Sequence, residues 1–189
     1  MISKYKLKFI QIILILIINC QFSFGQIYEV GGVFGGTNFI GDVGDTQFIN
    51  PNESGFGGII KWNRSPRHSY RLSFISTTIT ANDAESNDPR RKERGYHFSS
   101  NLKEISTGME FNFFDYNLHE YDVFFTPYIY SGIIYSKYEN LFFNGDNLQN
   151  SGEYDWSFGI PMVLGVKYRI FDQFILSFEI GARYTFSDK

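Results

Sequence analysis

Seven segments of this chain alternate apolar and polar side chains at every second position, and the connections between them run long, short, long, short, long, short. The segments span 27–36, 54–64, 68–80, 99–113, 123–135, 156–170 and 173–186; the connections are 37–53, 65–67, 81–98, 114–122, 136–155 and 171–172. Successive strand side chains point to opposite faces, so each segment predicts a strand with one apolar and one more polar face. Alternation alone fits a water-facing sheet equally well. The connections decide, because short turns on one rim and long loops on the other are the asymmetry of an outer-membrane barrel. All seven segments also reach the roughly 9–11 residues that a tilted strand needs to cross a membrane. The expected fold is therefore all-β, an antiparallel up-and-down transmembrane β-barrel.

The last two segments show the faces best. Phe158, Ile160, Met162, Leu164, Val166, Tyr168 and Ile170 share one side of the sixth, while Lys167 and Arg169 belong to the other. In the seventh, Phe174, Leu176, Phe178, Ile180, Ala182, Tyr184 and Phe186 oppose a face that carries Glu179 and Arg183. With the greasy side toward lipid, Glu104, Glu110, Lys167, Arg169, Glu179 and Arg183 face the lumen, and Arg71 joins them from the third strand. A small barrel's interior is just filled by side chains, so these charges are expected to pair as a packed plug. Unpaired backbone groups are costly in hydrocarbon, so a spanning sheet must close. Bacterial single-chain barrels do so with an even number of strands, and seven segments predict an eighth, expected after Lys189.

Residues 1–25 read differently. Lys4, Lys6 and Lys8 precede an apolar run from Phe9 to Ile18, and Ser23-Phe24-Gly25 forms a small-x-small site before Gln26. This is the pattern of a secretory signal peptide, leaving 26–189 as the barrel domain. The single cysteine, Cys20, lies within that leader, and Asn19 stands where a lipoprotein signal needs a small residue. Without cysteine, the mature chain has neither a disulfide framework nor a thiolate metal site. Losing three lysines takes the formal net charge from −3 to −6. No basic surplus points to nucleic acid.

Chemistry has little to stand on. His68, His97 and His119 fall on a turn edge, a long loop and a short turn, so no two share a ligand set. Neither a catalytic constellation, a cofactor nor a metal is expected. An enzyme set in the barrel wall would have His97 alone near the outer interface. The glycines at Gly31, Gly32, Gly35 and Gly36 lack the spacing of a phosphate-binding loop and no helix follows them, so a coil or bulge in the first strand is expected. Arg90, Arg91, Lys92 and Arg94 cluster in a charged loop, read as solvated, with a grip on lipopolysaccharide phosphates as the alternative. The short turns offer Arg64, Arg67, Tyr116, His119 and Tyr121 as a docking surface for a periplasmic partner.

Several phrases carry a resemblance: "EVGGVFGGTNFIGDVG" at 29–44, "NPN" at 50–52, the Trp-Asn-x-x-Pro-Arg turn at 62–67, "EISTGMEFNFF" at 104–114, "FTPYIYSGI" at 125–133 and "IPMVLGVKYRI" at 160–170. Together they resemble the PorG-like outer-membrane β-barrels of the type IX secretion and gliding machinery. The resemblance implies a non-enzymatic component in the cell outer membrane that anchors periplasmic ring and lipoprotein partners. It also implies a further outer loop and a final aromatic strand. The competing expectation is a small OmpW-like barrel that carries or binds hydrophobic small molecules, against which the charged lumen faces weigh.

Overall fold

The computed structural model describes residues 28–47, 49–118, 124–144, 147–171 and 173–186. The expected leader at 1–25, together with Cys20, His119 and Tyr121, lies outside them. Seven strands form one antiparallel sheet in simple chain order: β1 (Tyr28–Thr37), β2 (Glu53–Asn63), β3 (His68–Asn82), β4 (His97–Asn112), β5 (Phe125–Asn144), β6 (Asn147–Phe171) and β7 (Phe174–Thr185). It is an up-and-down meander curled into a half-barrel, with β1 and β7 as its two edges.

The curl follows from what touches across it. Strands sit about 4.8 Å apart, so on a flat sheet β3 and β7 would be separated by roughly 19 Å. Yet Arg71 on β3 reaches Glu179 on β7 at 2.6 Å. Part of the bending falls where Gly108 on β4 pairs with Gly132 on β5. A Cβ added to Gly132 would lie 2.1 Å from the Thr107 carbonyl oxygen, and one on Gly108 2.1 Å from that of Ser131. Glycine is what lets the two backbones approach this closely. Gly132→Ala is expected to cost about 1–3 kcal/mol, whereas Gly31→Ala, which meets nothing within 4 Å, should stay within about 0.5 kcal/mol. Guanidinium unfolding of the two variants in one detergent would check the contrast.

Two expectations about the first and last hairpins of the long-loop rim need correction. β1 pairs with β2 in unbroken register from Tyr28↔Trp62 to Thr37↔Glu53, so its glycines introduce no bulge. The expected loop at 136–155 is largely sheet: β5 and β6 continue pairing to Asn144↔Asn147, with one irregularity between Glu139 and Leu141. Because β4 pairs with β5 only as far as Tyr138, the hairpin runs on as a two-stranded ribbon for roughly 20 Å. Stacked Tyr135 and Trp156, with ring centroids 4.7 Å apart, brace its base.

The charged loop between β3 and β4 is also folded, not merely solvated. A 3-10 turn at Asp83–Glu85 leads into a short helix α1 (Pro89–Arg94). Asp88 caps its start by accepting from the Arg90 amide, Pro89 occupies the first turn, and Gly95 ends it at φ 70°. Asp83 is fully buried and holds the rim together. It accepts from the Gly44 amide at 2.8 Å, from Arg94 Nε at 2.8 Å and from the Tyr96 amide at 3.1 Å. Gly44 fits there because its φ is 95° and a Cβ would press within 2.9 Å of Ala81. Burial alone would raise the Asp83 carboxyl, but Arg94 and the two amides outweigh it and hold it below the usual carboxylate range. A lowered folded value means that the clasp is at full strength above about pH 4, the unfolded carboxylate's value, and weakens as pH falls through the folded one. The Gly44 and Tyr96 amide resonances should therefore shift together below about pH 4, and Asp83→Asn should abolish that titration.

Candidate functional site

Solvent exposure runs against the habit of soluble sheets. Apolar side chains on the convex face stand open, with Phe34 82%, Ile180 71% and Leu164 66% exposed. On the concave face Lys61, Arg71, Glu104, Glu110, Lys167 and Arg169 are all buried. The period of two in each strand sorts them. Lys61 projects inward between outward Ile60 and Trp62 on β2; Glu104 and Glu110 stand six residues apart on β4; Lys167 and Arg169 are neighbours on the inner face of β6.

Glu110 is the centre. Its Oε1 accepts from Lys167 Nζ at 2.6 Å, and Lys61 Nζ stands 2.8 Å from Oε2 as an ion pair out of hydrogen-bond alignment. Arg71 Nη1 approaches the same oxygen at 3.8 Å. That guanidinium is committed to Glu179, which it grips with both terminal nitrogens at 2.6 and 3.1 Å. Such forked pairs combine charge with fixed geometry. Tyr128 links the two carboxylates' surroundings. Its hydroxyl donates to Glu179, while Lys61 and Lys167 each sit 5.2 Å from its ring centroid. Gly165 leaves space for that ring, since a Cβ there would fall 2.5 Å from its Cζ. Arg71 further stacks on Tyr130 at 4.5 Å.

Two smaller tiers flank this centre. Toward the long-loop rim, Arg183 Nε donates to Glu104 at 2.8 Å. Toward the short-turn rim, Arg169 Nη2 donates to the Asn117 carbonyl at 2.6 Å and lies 5.2 Å from the Tyr116 ring, which Lys167 also faces at 5.1 Å. Every charged residue expected inside thus has an ionic or aromatic neighbour on the concave face, and Arg71, Lys167, Glu110 and Glu179 meet in one cluster. Lys61, Tyr128 and Tyr130 belong to it as well and were not singled out from the sequence. Parity would have found Lys61, flanked by two outward apolar residues; the tyrosines in "TPYIYSG" are masked because β5 carries aromatics on both faces.

The short-turn residues separate. Arg67 pairs with Asp115 in the open, and Arg64 leans over Trp62 at 6.0 Å. Tyr116 is a correction to the docking surface: it is buried, turned inward beneath Lys167 and Arg169, where its ring offers an electron-rich face to two cations. Each carboxylate of the cluster is already engaged by a cation, which leaves none placed as a free base. Among the described residues no three His, Cys, Asp or Glu side chains gather to hold a metal ion. The arrangement is suited to filling and stiffening the inside of the curl.

A family model described as a domain of unknown function, DUF6089, matches residues 7–189. No curated protein and no solved structure matches the chain.

Proposed function

The chain belongs to the DUF6089 family, and from its inverted faces we propose that it is an outer-membrane β-barrel of eight strands, the eighth seated between the open edges of β7 and β1. The observation that carries this reading is the exposure of a continuous apolar wall around a buried ionic interior. Water penalises such a wall, whereas lipid is its natural solvent. The dimensions agree. Phe158 and Tyr168 on β6, with their register partners Tyr135 and Phe125 on β5, bound the band. Ten residues span roughly 33 Å along a strand, or about 25 Å of height at a ~40° tilt, the height of a barrel's lipid-facing band.

Within that membrane the chain acts as a non-enzymatic component of a type IX protein secretion system, anchoring periplasmic ring and lipoprotein partners. The phrases at 62–67, 104–114 and 160–170 support this role by resemblance. The filled interior supports an anchor over a carrier, because a carrier of hydrophobic molecules needs an apolar cavity where this chain has paired charge. Arg64 and Arg67, exposed on the short-turn rim, are the docking residues. Photo-crosslinking tests the role: a probe at Arg67 should capture ring and lipoprotein components from the outer-membrane fraction, and a probe at Lys92 on the opposite rim should not. Recovery of the chain in the soluble periplasm, or identical capture from both rims, would overturn it.

A further inference from the structure

The convex face of the sheet changes character along one transverse row. Below it Phe74, Ile105, Tyr135 and Phe158 stand side by side as apolar neighbours in register. The row itself reads Ser76↔Lys103↔Lys137↔Trp156. The next row outward is polar, with Thr78 and Asn101 in register and Asn101 Nδ2 donating to Glu139 Oε2 at 3.2 Å.

Lys103 and Lys137 are directly opposite each other across an antiparallel pair, an arrangement that is unfavourable unless an anion joins them. Among the described residues neither has a carboxylate within ion-pair distance; Glu139, the acid of the next row on this face, is held by Asn101. Lys103 is exposed, and Lys137 is half-buried against aromatic rings, 4.1 Å from the Tyr154 centroid and 5.3 Å from that of Trp156. Those rings are themselves half exposed. Two lysines without a carboxylate partner, at the upper limit of an apolar wall and beside Tyr and Trp, place positive charge where headgroups of the adjoining leaflet lie.

We propose that Lys103 and Lys137 form a binding site on the outer wall for the phosphate of a phosphorylated outer-leaflet lipid, whose acyl chains lie along Ile105, Tyr135 and Phe158. The site rests on the membrane reading given above. Lysine acts here as a point charge for phosphate, and the aromatic rings keep the Lys137 ammonium on the convex face beside Tyr154 and Trp156. The β5–β6 ribbon rises directly above the site, so a bound headgroup sits at its base.

The test uses the full chain folded in detergent and offered lipid A bearing phosphate, the same lipid with its phosphate removed, and inorganic phosphate alone, with retention read by native mass spectrometry. Lys103→Gln and Lys137→Gln should each weaken retention of the phosphorylated lipid about fivefold, and together roughly thirtyfold. The dephosphorylated lipid should bind weakly and equally to all forms. Insertion of every form into phosphatidylcholine vesicles, seen as heat-modifiable migration, is scored separately. Parent protein that fails to insert overturns both the membrane reading and this site. Normal insertion with unchanged lipid retention in the double variant overturns the site alone. Full displacement of the lipid by millimolar inorganic phosphate would instead assign the pair to a free anion.

Discussion

Glu110→Ala is expected to cost about 3–5 kcal/mol, because it leaves buried cations with no counter-charge. Lys167 and Lys61 both point at this one carboxylate, and Arg71 is close behind. Removing the acid turns two attractions into a repulsion between two buried lysines. The loss should be non-additive. A Glu110→Ala, Lys167→Met double variant substitutes apolar volume for one ion pair and should regain more than half of the loss, since buried pairs exchange for packed apolar groups at little cost. Glu104→Ala should cost under about 1 kcal/mol, because its partner Arg183 is one-third exposed and well screened. Denaturant unfolding in detergent, fitted only if two probes give coincident transitions, measures all three. If Glu110→Ala costs as little as Glu104→Ala, water reaches the cluster and the interior is an aqueous channel.

The contrast between those two glutamates marks what sequence could and could not convey. Both lie on the inward parity of "EISTGMEFN", and the period of two alone placed them on one face with Lys167, Arg169, Glu179 and Arg183. Partnership is another matter. Arg71 and Glu179 are 108 residues apart in the chain and four strands apart in the sheet. They meet because the sheet curls, and the curl depends on backbone approaches such as Gly108↔Gly132 that no side-chain pattern announces. The same limit hid the rim clasp. "DAESNDPRRKERGYH" reads as a solvated charge run until Asp83 is seen to take two amides and Arg94 from segments that only the fold brings together. The ribbon was missed for a different reason. Its Asn- and Gly-rich composition around 144–152 reads as loop, although a Gly-Asp pair between two alternating stretches is also a tight-hairpin signal. Local propensity and pairing gave opposite answers there, and the ladder from Leu141↔Asn150 to Asn144↔Asn147 shows that pairing prevailed.

Leu164→Arg carries the membrane reading to a measurable difference. Leu164 sits in the middle of the apolar band, in register with Ile129 on β5 and Ile180 on β7, so the whole row is greasy. In lipid, an arginine at that depth should cost about 2–4 kcal/mol, while Phe171→Arg, at the short-turn end of the same strand, should cost about 0–1 kcal/mol. In water neither position has reason to differ, since both side chains are two-thirds exposed and exposed substitutions away from special features stay within about 0.5 kcal/mol. Unfolding of both variants in phosphatidylcholine vesicles gives the comparison directly. A cost that falls from midplane to rim reports a gradient in the solvent, because the sheet itself offers little: the two sites share a strand and a degree of exposure, and the register shift between Arg169 and Phe171 sets Phe171 opposite Phe174 of the outward row. Equal costs at the two depths would remove lipid from the account of the convex face, and with it the anchoring role and the phosphate site, while leaving the buried Glu110 cluster as it stands.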